Sequence, residues 1–74
     1  MTLGRLMELY HAEQQGKQIM MKEYSRVCFG YYKRIEEIKL SECDLSTLVL
    51  DDADDNYSYT YFIKGEEDEY GNKL

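Results

Sequence analysis

Apolar residues recur with two different periods along this chain, and the change comes at Gly16. Behind Thr2, whose hydroxyl can cap a helix, Leu3, Leu6, Met7 and Tyr10 fall at i, i+3, i+4 and i+7. Leu9 and Ala12 widen that stripe, while Glu8, His11, Glu13, Gln14 and Gln15 take the other side. Gly16 stands where a left-handed C-cap belongs, so a helix is predicted over about residues 2–15. Beyond it the chain becomes β-branched and aromatic. Residues 17–24 alternate, with Ile19 and Met21 on one face and Met20 on the other. Residues 26–32 place Val27, Phe29 and Tyr31 on one face and Cys28, Gly30 and Tyr32 on the other, with Gly30 suggesting a bulge or a close backbone approach. Residues 33–40 fit two readings, because Ile35 and Ile38 suit a helical turn as well as a continued strand. The expected course is a strand into Ile35, then an irregular or short helical connection through Leu45.

The last third is patterned most clearly. Residues 47–50 (TLVL) read as a strand, residues 51–56 (DDADDN) as a polar turn, and residues 57–63 (YSYTYFI) as a strictly alternating strand. Tyr57, Tyr59, Tyr61 and Ile63 share one face of it; Ser58, Thr60 and Phe62 share the other. The fold class expected is α+β: an N-terminal helix packed through Leu3, Leu6, Met7 and Tyr10 on a three- to four-stranded antiparallel sheet ending in a β-hairpin, 47–63. Residues 1–65 make a single domain in this reading, and residues 66–74, with little to bury, an acidic flexible tail.

Composition narrows the function classes without choosing one. A chain of 74 residues bounds a single small core. Charged residues are 32%, Pro and Trp are absent, and fifteen acids against nine bases give a net charge of −6. Collagen, a disulfide-framework toxin, a membrane-spanning helix and a generally basic nucleic-acid binder are excluded on these grounds. The charge is polarised: residues 51–74 hold eight of the acids against only Lys64 and Lys73, while residues 1–50 are neutral. Between Lys17 and Lys39 there is a local excess of base. The opening residues 1–5 do not form a continuous apolar run, and Cys28 and Cys43 are too few for a disulfide framework. Reduced, unbridged thiols in a reducing, cytoplasmic compartment are therefore the expectation.

Motifs for chemistry are sparse. Asp52 to Asn56 matches the opening of a calcium loop, but Tyr57 stands where Gly is required and Ile63 where a bidentate Glu is required. A zinc site would need His11, Cys28 and Cys43 gathered without any ligand spacing. No phosphate loop, GxSxG or HExxH is present. The expectation is a protein that is not an enzyme and that uses no metal and no cofactor. Tyrosine is the unusual residue, at eight copies. Tyr31/Tyr32 and Tyr57/Tyr59/Tyr61 fit either a core with its hydroxyls at the rim or a binding face, since Tyr gives large contact area at low entropic cost.

The helix-opening TLGRLMEL at residues 2–9, the Phe29-Gly30 step and the acidic turn before the last strand resemble the small acidic accessory proteins of phages and mobile elements of Gram-positive bacteria. The resemblance implies an anti-CRISPR or other anti-defence inhibitor that occupies a basic site with carboxylates. On that reading the partner is a host protein with a basic, nucleic-acid-handling surface, with no direct nucleic acid and no membrane. The partner-binding residues are Asp51, Asp52, Asp54, Asp55, Tyr57, Tyr59, Glu66, Glu67, Asp68 and Glu69, spaced so that carboxylates stand in for phosphates. Two alternatives stay open. One is an oligomer trapping a nucleotide-like ligand with Tyr31, Tyr32, Lys33 and Arg34; the other is an assembly protein using an edge strand, and both admit a homo-oligomer.

Overall fold

A computed structural model describes residues 1–27, 30–44, 48 and 57–74. Its elements are α1 (Leu3–Gln14), β1 (Ile19–Val27), β2 (Gly30–Ile38), a 3-10 turn (Leu40–Glu42) and β3 (Tyr57–Ile63). Thr2 caps α1 as its position predicts, its Oγ1 accepting from the Arg5 N–H at 3.2 Å, and Gly16 follows the helix at φ 86°. The sheet is three-stranded and antiparallel, in the order β2-β1-β3, and α1 packs on it: an α+β domain of the expected class.

The chain reverses between β1 and β2, with Val27 opposite Gly30. Residues 26–32, expected as one strand with a bulge or a close backbone approach at Gly30, are thus divided between two paired strands. The ambiguous stretch 33–40 resolves as strand up to Ile38, because pairing with β1 satisfies its backbone where an isolated helical turn would not. β3 takes β1 as its partner, running Ser25↔Tyr57 through Ile19↔Ile63. The strand expected at residues 47–50 lies outside the described residues except for Leu48, which is helical and buried.

One end of the sheet carries the core. Ile19, Ile38 and Ile63 stand in one cross-strand row, and α1 lays Leu6, Leu9 and Ala12 over it, with Leu40 and Leu48 closing the side. The helix stripe differs from the expected one: Leu3 and Met7 are 64% and 70% exposed, and the buried stripe centres on Leu9, roughly a quarter turn away. The reason lies in two polar residues on that stripe. Arg5 reaches Glu67 and the Tyr61 carbonyl, and Glu13 accepts the Leu40 N–H at 2.7 Å. Both ties require the Arg5–Leu9–Glu13 side of the helix to face inward.

Residues 66–74, expected as a flexible tail, fold back onto the domain. The Leu74 N–H bonds the Glu66 carbonyl at 3.0 Å and the Asp68 N–H the Asn72 carbonyl at 2.8 Å. Asp68 Oδ1 accepts from the N–H groups of Tyr70 and Asn72. Gly71, at φ 83°, lies close enough that an added Cβ would sit 3.5 Å from Arg5 Nη2. The segment is held by charge and backbone hydrogen bonds, not by apolar burial, which is why its composition reads as disorder.

Candidate binding surface

Only the Ile19 end of the sheet is covered by α1. Toward the hairpin, past the row Glu36–Met21–Tyr61, the same face presents two more: Glu23 between Arg34 and Tyr59, then Ser25 between Tyr32 and Tyr57. Tyr32, Tyr57 and Tyr59 are exposed, while Ser25, the small residue between two tyrosines, is buried. The strict alternation of β3 is what puts Tyr57 and Tyr59 on one side. Glu23 organises this patch. It pairs with Arg34 at 3.5 Å and lies across the strands from Tyr59, whose pKa its carboxylate holds above the ordinary phenol value.

The opposite face carries a different set. Tyr24 and Tyr31 stack with ring centroids 5.7 Å apart, and the Lys22 ammonium lies 3.9 Å from the centroid of the Tyr70 ring. Lys22 is buried there, its charge set against the ring face contributed by the C-terminal segment. Alternation along β2 divides the four residues considered for a nucleotide site. Tyr31 and Lys33 lie on this face, Tyr32 and Arg34 on the face of α1. A single chain does not gather them into one site.

The predicted acidic residues separate as well. Asp51, Asp52, Asp54 and Asp55 lie outside the described residues. Glu66 pairs with Lys17 at 2.8 Å and Glu69 with Lys33 at 3.1 Å, while Asp68 holds its own turn. Glu67 is buried, its side chain only 6% exposed, and it accepts from both Arg5 guanidinium nitrogens and, at 2.8 Å, from the Ile63 N–H. The Arg5 hydrogen bonds keep the Glu67 carboxyl below the usual carboxylate range. Three of these four carboxylates are thus engaged with bases of the same chain, and 66–69 does not present one free acidic face. No sequence signal pointed to Arg5–Glu67, since one acid in a run of four looks like the others.

The remaining candidates for chemistry are dispersed. His11 Nε2 contacts Gln15 Nε2 at 3.1 Å. Cys43 is a free thiol that donates to the Lys39 carbonyl and is pushed up in pKa by burial. Cys28 and the calcium-like run 52–56 lie outside the described residues. Among the described residues no three His, Cys, Asp or Glu side chains converge on a metal-sized site, and no helix is long and apolar enough to cross a membrane. An open groove of about 540 Å³ runs between α1 and the C-terminal segment, lined by His11, Lys17, Glu66 and Lys73 among others; Lys17 and Glu66 pair within it, and Glu8 and Glu67 of its lining pair with Arg5. Comparison with protein-family models, curated proteins and solved structures finds no match to this chain.

Proposed function

We propose that this chain is a non-enzymatic binding protein, an inhibitor or adaptor of the phage accessory kind, that docks on a basic, nucleic-acid-handling surface of a host protein. The observation that carries the reading is the uncovered half of the α1 face, where Tyr32, Tyr57 and Tyr59 stand exposed on the two strands flanking β1. Three tyrosines on a rigid sheet offer contact area that loses little side-chain entropy on docking. The sheet fixes their spacing. A net charge of −6 favours a basic partner and speeds encounter with it. With Glu66, Glu67 and Glu69 spent within the chain, the carboxylates left for that role are Asp51, Asp52, Asp54 and Asp55, which precede Tyr57 in sequence.

The test is capture from a Gram-positive host lysate by three tagged proteins side by side: the wild-type chain, a Tyr57→Ser/Tyr59→Ser variant, and a variant with the four aspartates changed to Asn. A protein retained by wild type should be lost from the tyrosine variant at any salt. It should be weakened in the Asn variant, and released from wild type as salt rises from about 0.1 M to about 1 M. Equal retention by all three would overturn the proposal.

A further inference from the structure

The two edges of the sheet are treated differently. On β3 the outward backbone groups at the core end are occupied: the Tyr61 carbonyl accepts from Arg5 Nη2 at 3.2 Å and the Ile63 N–H donates to Glu67 at 2.8 Å. Among the described residues nothing covers β2 in this way. Its only neighbour among the described residues is β1, and residues 30–37 are exposed throughout. The direction of its backbone groups follows from alternation. Since Tyr61 and Ile63 face away from β1, the even-numbered residues of β3 bond to β1. The odd-numbered residues of β1 then bond to β2, through the pairs Ile19↔Ile38, Met21↔Glu36, Glu23↔Arg34 and Ser25↔Tyr32. That leaves Tyr31, Lys33, Ile35 and Glu37 with their N–H and C=O groups directed outward along the open edge.

The centre of this edge reads Lys33-Arg34-Ile35-Glu36-Glu37, with its charge signs reversed about Ile35. We infer that β2 is a self-pairing edge: two copies of the chain join antiparallel about a two-fold axis at Ile35, making one continuous sheet. In that register Ile35 faces Ile35, Lys33 faces Glu37 of the second copy, Arg34 faces Glu36, and Tyr32 faces Ile38. Opposed residues lie on the same side of a sheet, so Lys33–Glu37 pairs form on the face away from α1 and Arg34–Glu36 pairs on the face of α1. The outward N–H and C=O groups of Lys33, Ile35 and Glu37 meet their counterparts in hydrogen-bonded pairs. Moving the axis to Arg34 sets Arg34 against itself and Lys33 against Ile35. Moving it to Glu36 sets Glu36 against itself and Lys33 against Lys39. Charges on an exposed edge usually repel another edge; here they repel or mismatch in the neighbouring registers and attract in one.

Within the single chain these side chains make contacts that are readily exchanged. Lys33 reaches Glu69 at 3.1 Å, Arg34 reaches Glu23 and Glu36 at 3.5 Å, and Gln18 reaches Glu37 at 2.9 Å. With Lys33 and Arg34 themselves exposed, such pairs hold their partners weakly. The inference does not rest on the proposed host partner: the two surfaces meet only at Tyr32, while Tyr57 and Tyr59 lie on β3 at the opposite edge of the sheet.

Sedimentation velocity of the full chain, from about 10 µM to about 1 mM as a small interface requires, tests it. The wild-type chain should move from 8.8 kDa toward twice that mass as concentration rises. A Lys33→Glu/Arg34→Glu variant and a Glu36→Lys/Glu37→Lys variant should each stay monomeric, and their equimolar mixture should dimerise, since every cross-strand charge pair is then restored. Ile35→Lys places like charges on the axis at a position already 40% exposed, and should be monomeric with an unchanged circular dichroism spectrum; it stands in for either double variant that fails to fold. A wild type monomeric throughout, variants that dimerise as wild type does, or a mixture of folded variants that remains monomeric would each overturn the inference.

Discussion

Replacing Glu67 by Gln keeps the shape of the side chain and removes only its charge. In the wild-type fold this carboxylate accepts two hydrogen bonds from Arg5 and one from the Ile63 N–H, with its side chain 6% exposed and that of Arg5 23% exposed. Breaking a buried ion pair from one side costs about 3–5 kcal/mol. Gln can still accept part of this set, so a loss of about 2 kcal/mol is expected. For a domain of this size that is about 8–16 °C in Tm, and a large share of a total of about 4–11 kcal/mol. The pH dependence supplies a second readout. Arg5 holds the folded pKa of Glu67 below its ordinary 4.5, so the pair's contribution is fully present above that value. It is lost as pH falls through the lower, folded value. Urea unfolding followed by circular dichroism, at pH 7 and at steps down through pH 3, should show wild type and Glu67→Gln converging as the solution becomes acidic. A double-mutant cycle with Arg5→Lys should give a coupling of about 1–2 kcal/mol. If Glu67→Gln lies within about 0.5 kcal/mol of wild type at pH 7, the range of an ordinary surface substitution, and keeps the wild-type pH slope, the pair does not secure the C-terminal segment.

Other expectations follow from the same geometry. Leu9→Ala, at a site with no exposed surface, should cost about 2–5 kcal/mol, whereas Met7→Ala should fall within about 0.5 kcal/mol of wild type; equal losses in urea melts would mean the helix is docked through the other stripe. Gly71→Ala forces a side chain into φ 83° beside Arg5 and should destabilise by about 1–2 kcal/mol. Gly4→Ala, in a helix with nothing near its added Cβ, should stabilise by up to about 1 kcal/mol. In a Cys28→Ser background, the alkylation rate of Cys43 should rise with pH to a midpoint above the ordinary thiol value of 9.0, because burial disfavours its thiolate; a midpoint below 9.0 would contradict the placement of that thiol.

What the sequence determined by itself is local. The Thr2 cap, the helix, its end at Gly16 and the inward and outward faces of β3 each follow from a period or a side-chain preference acting over a few residues. The charge order about Ile35 is also written in the sequence, but its meaning depends on β2 being an edge. Tertiary structure decided the rest. Helix periodicity allowed a stripe through Leu3, Leu6, Met7 and Tyr10, but Arg5 and Glu13 find partners 62 and 27 residues away and rotate α1 onto Leu9. Alternation cannot reveal where a strand reverses, so residues 26–32 passed for one strand until β1 and β2 paired across Val27 and Gly30. The acidic C-terminal segment has the composition of a disordered tail because a buried carboxylate and an exposed one are the same letter. Only the Arg5 guanidinium and the open β3 backbone, brought to Glu67 by the fold, make that carboxylate part of the structure.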